Sequence, residues 1–342
     1  MAGPRPLSPW HAGEIALQKS LGLSERLEEV GRRVIRGHMP EQHRLFFQQL
    51  PFVVLGAVDR SGDVWATVRA GERGFLQAPD PGQLQVELGR DPADPADAGM
   101  NDGDAIAVLG IDLTTRRRNR LNGTLRRSGP DAFRVEVAQS YGNCPQYIQQ
   151  RHGRFLRDPR SAPAEVPMVS HRLDSRARTL IARSDTFYVA SYVDPEGGGR
   201  RVDVSHRGGR PGFVRPGDDG VLAIPDFAGN GFFNTLGNML TNPRAGLVFV
   251  DDATGSLLQM TGRAEVVLDS SEIAAFRGAE RMWSFEPRTP VYRAMGLPLP
   301  LRLSIEPDGW SPSTMRTGSW TEAADPAAQG GSVSSSDPAP QA

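Results

Sequence analysis

A chain of 342 residues, 38% hydrophobic and 23% charged, can build two ordinary domains or one large one around a sizeable core. Its formal net charge of −1 excludes a global electrostatic pull toward nucleic acid or an acidic membrane. The single cysteine, Cys144, excludes an intrachain disulfide and a cysteine-built metal site, and suits a reducing compartment. Phe52–Val58 and Gly246–Val250, the longest apolar runs, are too short to span a bilayer. Met1–Trp10 has no apolar core of signal-peptide length, so a cytoplasmic, turn-rich protein is expected.

The first fifty residues read as helical. Ser24 is placed to cap a segment in which Leu27, Val30 and Val34 recur at helical spacing, and Pro40 leads into Glu41–Leu50. After Pro51 the pattern changes to short β-like runs: Phe52–Val58, Val64–Arg69, Gln83–Glu87, Ala105–Ile111 and Phe133–Ala138. Turn signals such as Ser61-Gly62-Asp63 and Asn101-Asp102-Gly103 separate them, which predicts a barrel or sandwich. A second round follows. Asp174 caps a helix through Arg183, with strands at Phe187–Val193, Arg201–His206, Val221–Ile224, Gly246–Val250 and Leu257–Val267. Beyond Trp320 almost no large apolar residue remains, and 321–342 is expected to be a disordered tail.

The two rounds align. Asp63–Val86 lies on Arg201–Ile224 without a gap at an offset of 138, matching Val64 with Val202, Thr67 with Ser205, Arg69 with Arg207 and Phe75 with Phe213. One residue later, at an offset of 139, Asp112 meets Asp251 and Gly123 meets Gly262. An internal duplication is the expectation, with two β-domains facing each other like a fused dimer and a ligand site between them. After the matched hairpin the copies diverge. The second reads Ile224-Pro225-Asp226-Phe227-Ala228-Gly229-Asn230-Gly231-Phe232-Phe233-Asn234, where Asn230 is placed to cap a helix and the glycines let backbone approach a ligand. A helix start of this kind is either simply a cap or a phosphate site. The first copy instead carries Asp91, Asp94 and Asp97, which would repel a phosphate.

Val202-Asp203-Val204-Ser205-His206-Arg207-Gly208-Gly209, Ile224-Pro225-Asp226 and Gly229-Asn230-Gly231 through Asn238 together resemble the pyridoxamine 5′-phosphate oxidase-related family of FMN-binding split barrels. Asn242-Pro243-Arg244 and Gly262-Arg263-Ala264-Glu265 continue the resemblance, and Ser140-Tyr141-Gly142-Asn143-Cys144-Pro145 is similar to a segment of the larger two-barrel members. The resemblance implies a mainly β fold with flanking helices, built as two tandem split β-barrel domains. The implied layout is 1–39 as a helical segment, 40–150 as the first barrel copy and 170–312 as the second, FMN-binding copy. It places FMN on Arg201, Ser205, His206, Arg207, Asp226, Asn230, Gly231, Asn234 and Gln259. It implies an oxidoreductase acting on a small molecule, with NAD(P)H or a separate reductase as electron donor, and a homodimer. A non-catalytic carrier of flavin or haem on the same scaffold is the alternative. The phosphate stretch departs from the Ser-Arg-Lys type, and the chain's one lysine, Lys19, lies outside it.

No catalytic residue is identified. The six histidines form no HxxxH or HxH pair, so no metal is expected. Arg116-Arg117-Arg118 with Arg120, Arg126 and Arg127 reads as a solvated basic hairpin, without aromatic interleaving for nucleic acid.

Overall fold

The computed structural model describes residues 8–127, 129–161, 165–303 and 310–323. Three helices lead: α1 (Ala12–Ser20), α2 (Ser24–Val34) and α3 (Glu41–Gln48). Ser24 does not cap α2; it stands inside the first turn, and Leu23 is the preceding boundary residue. Pro40 does stand immediately before α3. Strands β1 (Phe52–Val58), β2 (Val64–Ala70), β3 (Leu76–Gln77), β4 (Gln83–Val86), β5 (Ala105–Asp112), β6 (Arg117–Arg127) and β7 (Phe133–Asn143) form an antiparallel sheet of order β2-β1-β5-β6-β7-β4-β3.

Short strands β8 (Arg151–Gly153) and β9 (Met168–Val169) lie between the two copies, and helix α4 (Ser175–Arg183) opens the second. The Asp174 carboxylate caps α4 as expected, accepting from the Ala177 N–H at 2.8 Å. Strands β10 (Thr186–Val193), β11 (Arg201–Gly208), β12 (Arg215–Pro216), β13 (Leu222–Phe227), β14 (Arg244–Val250), β15 (Leu257–Val267) and β16 (Ala279–Arg293) form a second sheet, β11-β10-β14-β15-β16-β13-β12. Helix α5 (Asn234–Thr241) links β13 to β14, and α6 (Ser271–Ala275) links β15 to β16. Strand β17 (Leu301–Leu303) pairs with β8, and α7 (Pro312–Met315) and α8 (Trp320–Ala323) follow. The expected disordered tail begins inside α8, where Glu322 pairs with Arg210; the rest of it lies outside the described residues.

Replacing each strand of the first sheet by its ninth successor reproduces the second sheet's order. Even the irregularities repeat. Each long hairpin slips register at a glycine, Gly123 in β6 and Gly262 in β15, where a Cβ would stand 1.9 Å from the Glu136 carbonyl oxygen and 2.1 Å from that of Glu286. The fold is therefore mainly β with flanking helices, two split-barrel units related by duplication.

The alternation of side chains explains how the units meet. On β1, Val53, Leu55 and Ala57 fill the first barrel, while Phe52, Val54 and Val58 face the second. On β10, Phe187 and Val189 fill the second barrel, and Tyr188, Ala190 and Tyr192 return the contact. Both strands read as continuous apolar runs because both of their faces are buried. The helices α1 and α2 lie over α5. Gly13 and Gly237 bring the α1 and α5 backbones together so closely that a Cβ on Gly13 would lie 2.0 Å from the Gly237 carbonyl oxygen.

Candidate active site

Strand β11 puts Ser205 and Arg207 on one face by its period of two, and β6 of the other copy does the same with Arg118 and Arg120. These four side chains, the end of β13, the first turn of α5, the start of α2 and the segment after β7 enclose a cavity of about 720 Å³. That volume falls in the usual range for small-molecule and cofactor sites.

A buried network forms one end of it. The Arg120 guanidinium donates to the Tyr141 hydroxyl (2.9 Å), to Asn234 Oδ1 (2.7 Å) and to Ser205 Oγ (2.5 Å), and pairs with the Asp203 carboxylate at 3.0 Å. Ser205 donates to Asp203 at 3.1 Å and accepts from the Thr235 hydroxyl at 3.0 Å. Burial opposes the Arg120 charge, but Asp203 and Tyr141 more than offset it, and its pKa is raised. Behind the network, Glu14 of α1 accepts from Asn234 Nδ2 (2.5 Å) and from the His11 N–H (2.9 Å). Burial pushes the Glu14 carboxyl up to about 7.

Helix α5 begins after Phe233, whose φ of +60° is left-handed, and no side chain caps it. Its first-turn amides at Asn234, Thr235 and Leu236 therefore have no capping partner and carry the positive end of the helix dipole. Asn230 is not the cap expected of it. It precedes the helix by a full turn, on an exposed loop, and its Oδ1 accepts from the Phe232 N–H at 3.1 Å. Gly231 takes a φ of +75°, beside Leu27 and Leu23 of the α2 region.

The cationic side of the cavity is incompletely neutralised. Arg281 donates to Asp226 at 3.0 Å and also bonds Glu280 at 2.5 Å, so it is balanced. Among the described residues, Arg207 has only a 3.8 Å ion pair, to Asp226, and its Nε has no acceptor; burial lowers its pKa.

Seven of the nine expected positions come together here: Ser205, His206, Arg207, Asp226, Asn230, Gly231 and Asn234 all line the cavity. Asp226 does so from strand β13 rather than from a helix start. Two positions lie outside the cavity. Arg201 lies exposed at the far end of β11, in a small cleft with His11, Asp203 and Asn238. Gln259 is fully buried on the other side of the barrel interface, donating to the Ala66 carbonyl (3.1 Å) and to Asp94 (2.9 Å). The basic stretch also requires correction. It is strand β6, and Arg118 and Arg120 turn inward to line the cavity, together with Asn143, Cys144, Tyr147 and Arg281.

Gln259 explains itself by pseudo-symmetry. It is the counterpart of Arg120 at the offset of 139, so each copy reaches across the interface into the other's hydroxyl corner, Arg120 to Ser205 and Gln259 toward Thr67 and Asp94. The corner at Thr67 is closed. Arg293 fills it, 3.2 Å from Asp94 and paired with Asp91, while Arg69 lies 3.7 Å from Asp94 and Thr67 donates to Asp94 at 2.6 Å. In the registers, Arg293 faces Leu257 where Asn143 faces Arg118, so the open cavity has an asparagine where the closed corner has this arginine.

Residues 173–298 match the profile of the family described as pyridoxamine 5′-phosphate oxidase. No curated protein sequence matches the chain. Among solved structures, it is similar to a putative pyridoxamine 5′-phosphate oxidase from Lactobacillus delbrueckii at 18% identity, over 31% of this chain and 95% of that one, with a TM-score of 0.25. HupZ from Group A Streptococcus is similar at 16% identity, over 34% and 89% of the two chains, with a TM-score of 0.26. A FAD-binding protein from Mesorhizobium loti is similar at 13% identity, over 38% and 99%, with a TM-score of 0.25.

Proposed function

We propose, from the premise that residues 173–298 belong to the pyridoxamine 5′-phosphate oxidase family, that the cavity holds FMN and that the protein is an FMN-dependent oxidoreductase of a small molecule. One observation carries this reading. The uncapped first turn of α5, the Ser205 hydroxyl and the loosely paired Arg207 guanidinium converge on one cavity at the barrel interface. Free helix amides, a hydroxyl and a forked cation are the donor set that a phosphate monoester needs. The orphaned Nε of Arg207 fits the same demand.

In this reading the phosphate is held by the amides of Asn234 and Thr235, by Arg207 and by the Ser205 hydroxyl, whose hydrogen turns from Asp203 to the phosphate, with the Gly229-Asn230-Gly231 loop at its rim. Arg120 does not touch it; it fixes the Ser205 oxygen and the Asn234 side chain. Asp226 holds Arg281 and tempers Arg207. The bound flavin supplies hydride or electron transfer, and the chain supplies binding, orientation and the field around it. NAD(P)H or a separate reductase is the proposed electron donor. Both walls come from one chain, so one FMN per chain is expected whether or not two chains associate as a homodimer. Among the described residues no helix is long and apolar enough to cross a membrane; a cytoplasmic setting is part of the proposal.

The absorbance spectrum of the purified protein tests it. A flavin spectrum at one FMN per chain that bleaches with NADH, NADPH or a reductase supports the oxidoreductase. Bound flavin inert to every donor gives the carrier instead, and a colourless protein that takes up no FMN overturns the reading.

A further inference from the structure

Of the polar groups in the cavity that the phosphate does not use, among them Arg26 and Asn143, two stand out. Arg118, from β6 of the first copy, donates Nε to the Cys144 carbonyl at 2.8 Å and Nη2 to the Cys144 sulfur at 3.7 Å. Among the described residues no carboxylate pairs with it, and burial lowers its pKa to about 10. His206, from β11 of the second copy, is 3% exposed, and neither of its ring nitrogens has a hydrogen-bond partner. Burial, then repulsion from Arg118, Arg151 and Arg207, holds that ring neutral, with one N–H to donate. A buried imidazole with both nitrogens unused is uncommon in a finished core.

We propose that Arg118 anchors a second oxyanion subsite, to which a ring shift of the sealed His206 adds a donor, and which receives the carboxylate of the small-molecule substrate. This rests on the flavin reading, which occupies Ser205, Arg207 and the start of α5. Arg26 also lines the cavity, but it is exposed, where solvent screens its charge. The one inner cation without a carboxylate among the described residues, Arg118, matches one negative charge, so a monoanionic carboxylate fits better than a dianionic phosphate. Leu23, Leu27, Phe227 and Phe233 line the same cavity and suit an apolar body behind that carboxylate. The substrate class is therefore an apolar, aliphatic or aromatic, carboxylic acid.

Calorimetric titration of benzoate, benzamide and phenyl phosphate decides it, on FMN-saturated protein and in parallel on flavin-free protein. Benzoate should bind at least about tenfold more tightly than benzamide, since the loss of a charge-assisted hydrogen bond is worth that or more. Phenyl phosphate should bind no better than benzoate to FMN-saturated protein. Arg118→Met should weaken benzoate by about tenfold while FMN affinity stays within about threefold. Arg118→Lys, which keeps the charge, should retain most of the benzoate affinity. Equal binding of benzoate and benzamide overturns the subsite, as does an Arg118→Met variant that loses FMN and keeps benzoate. Should no FMN bind at all, the flavin reading falls, and the flavin-free titration still decides the subsite. Circular dichroism checks that each variant is folded; if Arg118→Met is not, the benzoate-to-benzamide ratio in the unaltered protein decides alone.

Discussion

Replacing Arg120 with methionine tests whether the network between the two copies holds the site together. Met fills most of the arginine's length and removes its charge. Arg120 is 4% exposed, and Asp203, also 4% exposed, forms its one ion pair among the described residues with Arg120. Arg120→Met therefore leaves a carboxylate buried with only the Ser205 hydroxyl to serve it. Stripping one partner from a buried ion pair costs about 3–5 kcal/mol. Solvent screening does not reduce that figure at these depths. At about 2.1 cal/mol/K per residue, a chain of 342 residues moves by roughly 1.4 °C per kcal/mol, so the melting temperature should fall by roughly 4–7 °C. The double variant Arg120→Met/Asp203→Asn removes both charges and should recover about half of the loss, because most of the cost is the orphaned carboxylate rather than the missing attraction. Urea unfolding followed by tryptophan fluorescence, with melting curves from circular dichroism, measures all three proteins. A single variant that loses less than about 1 kcal/mol, or a double variant less stable than the single, refutes the reasoning.

Three further outcomes are expected. Asn230→Asp keeps the hydrogen bond to the Phe232 N–H but brings a carboxylate to the phosphate rim, and should weaken FMN by about fivefold, near 1 kcal/mol at an intermediate dielectric; flavin fluorescence titration reads it. Arg293→Met strips the fully buried Asp94 of its nearest cation and should cost about 3–5 kcal/mol in urea unfolding, while FMN affinity, read by the same titration, is unchanged because that corner is not the site. Glu14, whose carboxyl is raised to about 7 by burial, holds more proton in the folded than in the unfolded chain between about pH 4.5 and 7; stability should decline by about 3 kcal/mol across that window and level off above it, and Glu14→Gln should flatten the decline in urea titrations at pH 5, 6, 7 and 8.

Much of this was legible in the chain, for physical reasons that differ by element. Phe52–Val58 announced itself because burial on both faces leaves a seven-residue apolar run with no polar alternation. Asp174 was legible because a carboxylate before a helical pattern has one common use. The repeat was legible because glycines such as Gly71 and Gly209 cannot drift: a Cβ on either would meet the ring of Phe75 or Phe213 within 3 Å. Strand β6 was not legible. Its charged side chains mimic a solvated hairpin, and what Arg118 and Arg120 face, Cys144 and Tyr141 of their own copy and Ser205 and Asn234 of the other, is far away in sequence. Strand β16 was hidden by Pro287 and Pro290, which usually demote a strand; here Pro287 sits opposite Gly262, where the register slips. That Gln259 lies outside the cavity was not legible because position along a duplicated chain does not say which of two pseudo-equivalent corners a crossing side chain enters.

That last ambiguity points to what fusion does to such a site. In a dimer of identical barrels, both corners must share one sequence, and any change that closes one closes the other. In one chain, the residue reaching toward Ser205 is Arg120 while its counterpart is Gln259, and the residue beside the cavity is Asn143 while its counterpart is Arg293. Closing a polar corner takes more than losing its ligand, since every buried donor and acceptor left behind must still find a partner. The first copy meets that demand with its own charges. Asp94 takes bonds from Thr67 and Gln259 and sits against Arg69 and Arg293, while Arg293 also pairs with Asp91, so the groups that would have faced a ligand face one another. The acidic run that breaks the first copy's sequence is thus the packing that lets the second copy keep the open cavity.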